Sequence, residues 1–152
     1  MNPLWSLLLS GLWLCLAGCE SMGGLGERFR PAEPALHNFE SPLNSVYTSA
    51  RQALQKMGFK ITRASESSGR IDAVNGVRAD ATLRSSSQIE VRVALDSTLE
   101  GGTEMRVWMI EIVEDRFTQS GGYGIRSPLR ASPLYEVLFR ETAKVLGLPE
   151  NN

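Results

Sequence analysis

Ile89-Glu90-Val91-Arg92-Val93-Ala94-Leu95 alternates apolar and other side chains, and Glu104-Met105-Arg106-Val107-Trp108-Met109 repeats the alternation after a turn. Residues two apart in a strand share a face, so Ile89, Val91, Val93 and Leu95 lie together. Met105, Val107 and Met109 continue that face on the return, and Ser97 to Gly102 supplies the turn. This hairpin decides the fold, because a sheet with one continuous apolar face must have that face covered.

The cover is found on both sides of it in the sequence. Upstream, Leu43, Val46, Tyr47, Ala50, Leu54 and Met57 recur at helical spacing, while Asn44, Thr48, Arg51 and Gln55 fall on the opposite side. Ser41-Pro42 predicts the start, with serine as N-cap and proline at the first helical position, and Gly58 predicts the end. Downstream, Ser132-Pro133 repeats the device, Tyr135, Leu138, Phe139, Thr142, Val145 and Leu146 form the stripe, and Gly147 closes the helix. Between the first helix and the hairpin, Phe59–Arg63 and Arg70–Val74 read as two strands joined through Glu66-Ser67-Ser68-Gly69. Residues 77–84 alternate as well, and either prolong the second strand past a bulge or form an irregular connection. Residues 117–126 read as a loop around Gly121-Gly122-Tyr123-Gly124. The expected fold is therefore α+β: an antiparallel meander of about four strands with two amphipathic helices on one face.

The N-terminus is of a different kind. Leu4 to Leu16 is apolar, too short for a spanning helix, and is followed by Ala17-Gly18-Cys19. Leu16-Ala17-Gly18-Cys19 resembles the lipobox of bacterial lipoprotein precursors. That resemblance implies removal of residues 1–18 as a signal peptide, a diacylglycerol on the Cys19 thiol, and anchoring to the lipid bilayer. Glu20 in the following position implies the periplasmic face of the Gram-negative outer membrane rather than the inner membrane. Cleavage of 18 residues from 152 would leave 134, the size of one domain. Cys15 would depart with the leader and Cys19 would be consumed, leaving neither a free thiol nor a disulfide. Residues 19–40, with Gly23, Gly24, Gly26, Pro31 and Pro34, read as a tether spanning about 25 Å, onto which Phe29, Leu36 and Phe39 could dock. The domain is expected over 41–149, followed by a tail at 150–152.

The stretch Tyr47-x-x-Ala50-x-x-Ala53-Leu54, Met57-Gly58-Phe59-Lys60-Ile61 and Ser68-Gly69-Arg70-Ile71 resembles helix-grip domains. Those of the C lipoprotein of the outer-membrane β-barrel assembly machinery are an example. The resemblance implies a fold and an envelope location, and no functional residue.

Chemistry is sparse in this sequence. Sixteen basic and 17 acidic residues nearly cancel, which leaves no footprint for nucleic acid. The single histidine, His37, lies in the expected tether, so neither a metal site nor histidine-based catalysis is expected, and no cofactor motif is present. Glu111, Glu114 and Asp115 are the best carboxylate cluster, and they read as a charged strand end rather than as a hydrolase acting on the cell wall.

One feature departs from simple alternation. Trp108, Ile110 and Ile112 occupy the face opposite Met105, Val107 and Met109, where solvent is expected. Pairing around the turn sets either Arg92 or Ala94 across from Trp108. Two readings follow: the 117–130 loop or the tether covers these side chains, or they form a patch for an envelope protein partner. On the second reading Arg92, Trp108, Ile110, Ile112 and Tyr123 make the contact, and the domain is a non-enzymatic binding or assembly module. A different function, carriage of an apolar ligand between helices and sheet, would use Met57, Met105 and Met109 as an adaptable lining.

Overall fold

The structure is a computed structural model that describes residues 32–76, 78–80, 85–115 and 124–149. Nine elements follow in order: β1 (Ala35–Phe39), α1 (Leu43–Lys56), β2 (Phe59–Ser65), β3 (Arg70–Asn75), β4 (Arg78–Asp80), β5 (Ser85–Ser97), β6 (Thr103–Asp115), β7 (Gly124–Pro128) and α2 (Leu134–Leu146). Among the described residues the sheet is antiparallel with seven strands, of which five run β1-β6-β5-β3-β2, while β4 pairs with β5 and β7 with β6. The α+β class and the two helices agree with the sequence reading, and the number of strands does not.

The three additional strands have separate causes. β4 resumes the pairing of β3 against the same strand, β5. Its register advances by one residue between Val74↔Glu90 and Arg78↔Ser87, so residues 78–80 prolong the second hairpin strand past a bulge. The other two additions correct the boundaries drawn above. Residues 35–39 belong to the sheet rather than to a tether, because Ala35, His37 and Phe39 alternate and pair with Val107, Met105 and Thr103 of β6. Leu36 stays exposed, and Phe39 is the residue of the pair that docks into the core. Residues 124–128, read as loop, pair with Glu114 to Ile110 further along the same edge of β6. β1 and β7 thus share one side of one long strand. Residues 1–18 with Cys19, the start of the tether, Tyr123 and the 150–152 tail lie outside the described residues.

The helix ends show what serine–proline can and cannot do. Before α2, Pro133 occupies the cap position, and the Leu134 N–H donates to Ser132 Oγ at 3.3 Å. Before α1 it is Pro42, extended at ψ 148°, that occupies the cap position, and the Ser41 carbonyl accepts instead from Thr103 Oγ1 of β6 at 2.8 Å. Gly58 and Gly147 close the two helices with φ of 84° and 77°.

The core lies between the helices and one face of the sheet. Val46, Ala50, Leu54 and Leu138 from the helices meet Ile71, Val91, Val93, Met105, Val107 and Met109 from the sheet, all nearly inaccessible. Burial of each valine, leucine, isoleucine or methionine among them contributes roughly 1.5–3 kcal/mol. Met105 and Met109 are ordinary members of this cluster and Met57 packs at its margin. Gly69 locks the β2–β3 turn onto β5: its carbonyl accepts the Leu95 N–H at 2.8 Å, and a Cβ there would sit 2.3 Å from the Leu95 oxygen.

At rises of about 3.4 and 1.5 Å per residue, the β5–β6 hairpin is about twice as long as either helix. Full burial on its helix-facing side runs from Val91 to Leu95 and from Thr103 to Met109, and gives way to half-burial at Ile89, Glu111 and Val113. Its far half is thus the less covered half, flanked by β4 and β7.

Candidate functional site

The outward face of the hairpin carries the candidate residues. The register answers the question the sequence left open: Arg92, not Ala94, stands directly opposite Trp108. Ile110 and Ile112 follow on the same side of β6, opposite Glu90 and Gln88. Arg92 is exposed and the three apolar side chains are half-buried, so four of the five predicted contact residues come together on one face. Tyr123 lies outside the described residues.

Of the segments suggested as a cover, residues 117–123 and the tether before residue 32 lie outside the described residues. β1 and β7 pair edge-on with β6 and flank the patch. Among the described residues, one side chain reaches across it. Arg126, opposite Ile112 on β7, forms an ion pair with Glu90, which sits on β5 beyond β6. Adjacent strands are about 4.8 Å apart, so the Arg126 side chain must pass over the outward side of β6, where Ile110 and Ile112 stand. Its methylene stem supplies apolar cover while its guanidinium stays wet.

Glu90 is shared. Its Oε1 lies 3.8 Å from Arg92 Nη2, and Arg92 Nε lies 3.5 Å from Asp72 on β3. The chain Asp72–Arg92–Glu90–Arg126 therefore reaches from β3 to β7. On the other side of Trp108, Arg106 pairs with Asp96 and has Nε 3.7 Å from Glu104. Trp108 thus stands between two charge-paired rows, in which three guanidiniums meet four carboxylates. Side chains in these pairs are 24–58% exposed, so each pair contributes at most a few tenths of a kcal/mol up to about 1. Their effect is to hold the arginines flat around an apolar ridge rather than to stabilise the fold.

Sequence reasoning missed Asp72, Glu90, Arg106 and Arg126. A signal existed: Glu90/Arg92 and Glu104/Arg106 place opposite charges two residues apart, hence on one face of a strand. Arg126 had no such signal, because its strand was read as loop.

A concavity lies at the β1 edge. A hollow of about 490 Å³ between β1 and α2 is lined by His37, Phe39, Glu136, Phe139, Arg140 and Ala143, among others. The His37 ring stacks on Phe139 at 5.0 Å between centroids and 19° between planes, and meets Phe39 at 4.6 Å. His37 is therefore a strand residue against an aromatic wall rather than part of a tether. Among the described residues, no cluster of three metal-binding side chains occurs, and no helix is long and apolar enough to cross a membrane. Of the carboxylate cluster, Glu111 is half-buried on the helix-facing side of β6, and the side chains of 114 and 115 lie outside the described residues.

No protein family and no curated protein matches the sequence. Among solved structures, the chain is similar to a DUF4468 family protein from Bacteroides ovatus ATCC 8483. The TM-score is 0.45 and the identity 10%, covering 81% of this chain and 91% of that one.

Proposed function

We propose that this chain is a lipid-anchored envelope protein whose domain binds other envelope proteins and performs no chemistry of its own. Cys19 would carry the acyl chains at the periplasmic face of the outer membrane, and the outward face of β5 and β6 would be the contact surface. One observation carries the reading: Trp108, Ile110 and Ile112 form an apolar ridge on the sheet face away from the helices, framed by charge-paired arginines. Tryptophan and arginine are the residues most often found at the energetic centres of interfaces. Arginines already held by carboxylates lose less side-chain freedom when a partner docks. The lipobox, and the similarity of residues 47–71 to helix-grip lipoprotein domains, support the location.

The test is photo-cross-linking in cells from position 112, with identification of the captured proteins. Envelope proteins should be captured, and Trp108→Ala should remove them without unfolding the domain. A folded Trp108→Ala protein that keeps every cross-linked neighbour would refute the patch. Mass spectrometry of the processed N-terminus checks the anchor separately: a diacylglyceryl-modified Cys19 is expected, and an unmodified sulfur or a retained leader would refute it.

A further inference from the structure

The edge of the sheet at β1 offers a second surface, separate from the outward face. Among the described residues, no strand pairs with the side of β1 that faces away from β6. Hydrogen bonds at Met109 reveal which backbone groups face that way. Its carbonyl accepts the Leu129 N–H at 2.9 Å and its own N–H donates to Tyr135 Oη at 3.0 Å, both on the β1/β7 side of β6. The register of β6 against β5 is unbroken from Ser85 to Ser97, so every second residue of β6 turns its backbone the same way. Thr103, Met105 and Val107 therefore bond to Phe39, His37 and Ala35, and the N–H and C=O groups of Leu36 and Asn38 point outward.

Beside this open edge lies the 490 Å³ hollow, whose apolar lining includes Phe39, Phe139, Ala143 and Leu148. Two carboxylates, Glu40 and Glu136, stand at its rim against one guanidinium, Arg140. Among the described residues neither carboxylate has an ion-pair partner.

We propose that this groove binds an extended segment of a partner protein. The segment adds to the sheet as a strand along β1, lodges an apolar side chain between β1 and α2, and offers a lysine or arginine to Glu40 and Glu136. The occupant follows from the chemistry. Outward N–H and C=O groups at the two-residue repeat are complemented by another backbone in extended form, which a fatty acid does not provide. The excess of carboxylate on the rim selects a basic neighbour for the apolar side chain. A second copy pairing through its own β1 fits less well, because Ala35–Phe39 contains neither lysine nor arginine.

The experiment uses the full-length chain in detergent micelles and a positional-scanning library of peptides of about seven residues, read by fluorescence polarisation. Enrichment of an apolar residue beside lysine or arginine is expected. N-methylation of alternate peptide amides should weaken binding about tenfold or more, as loss of backbone hydrogen bonds requires. Asn38→Pro removes one outward N–H and leaves the bonds to β6 in place, so it should weaken binding about as much with little change in Tm. Leu36→Pro serves the same purpose if Asn38→Pro proves unstable. Glu136→Lys should move the preference from basic to acidic peptides, and Trp108→Ala should leave binding unchanged. Absence of binding, indifference to both N-methylation and proline, or a dimer that excludes peptide would each overturn the proposal.

Discussion

Met109 sits where two partners of β6 meet. Its neighbour Val107 is served by β1 and its neighbour Ile110 pairs with β7, so its own backbone would face a gap between the two strands. Tyr135 from α2 reaches in to accept the N–H, and Leu129 supplies the donor for the carbonyl. A buried amide left without an acceptor costs about 1–3 kcal/mol. Tyr135→Phe, which keeps the ring and removes only that acceptor, should lower the urea midpoint by a corresponding amount without changing the slope. Gly69 is constrained more severely. At φ 60°, with the Leu95 oxygen 2.3 Å from any added Cβ, Gly69→Ala must both adopt a left-handed backbone and push β5 away. The left-handed conformation alone costs about 1 kcal/mol, and the overlap raises the total to 2 or more. Thermal unfolding of Gly69→Ala measures it, and a loss below half a kcal/mol would show that the turn does not touch β5 in this way.

At the scale of elements, local pattern decided what could be read. Both helices and the central hairpin were legible because each carries its own signal: a stripe at helical spacing, strict alternation, a glycine at the end. β1 and β7 were not, because five residues without a turn signal carry too little pattern, and both exist only by pairing with the exposed side of a 13-residue strand. Pro34 argued for a tether and stands at the flank of β1 instead, where no ladder hydrogen bond is required of it. The candidate patch was legible to the same extent: side-chain parity placed Trp108, Ile110 and Ile112 together, whereas Arg126 came from a strand that parity could not find. The contribution of β7 to the patch is measurable. A double-mutant cycle on Glu90→Ala and Arg126→Ala should give a coupling of about 0.2–1 kcal/mol that shrinks in high salt. Zero coupling at low salt would mean that Arg126 does not lie across β6.

Across the whole molecule, stability should be graded along the hairpin. Both helices pack over the half of β5 and β6 near the turn, where Val91, Val93, Leu95, Met105, Val107 and Met109 are all but inaccessible. The far half keeps its ladder, paired with β4 and β7, but has only half-buried apolar side chains beneath it, and Ile125 of β7 is 67% exposed. Among the described residues, amides there have less apolar cover than those near the turn, and local opening needs less than global unfolding. Native-state hydrogen exchange should therefore show amides of residues 91–95 and 103–109 exchanging only through global unfolding. Residues 85–89 and 111–115 should open at markedly lower free energy. Uniform protection from end to end would mean that something covers the far half. The gradient bears on function through Ile110 and Ile112, which stand where the rigid and the looser halves meet. A partner docking on that ridge would bury apolar surface over the looser half and raise its protection towards that of the core, while a partner adding a strand at β1 would raise protection at Leu36 and Asn38. Hydrogen exchange in the presence of each kind of partner thus separates the two surfaces.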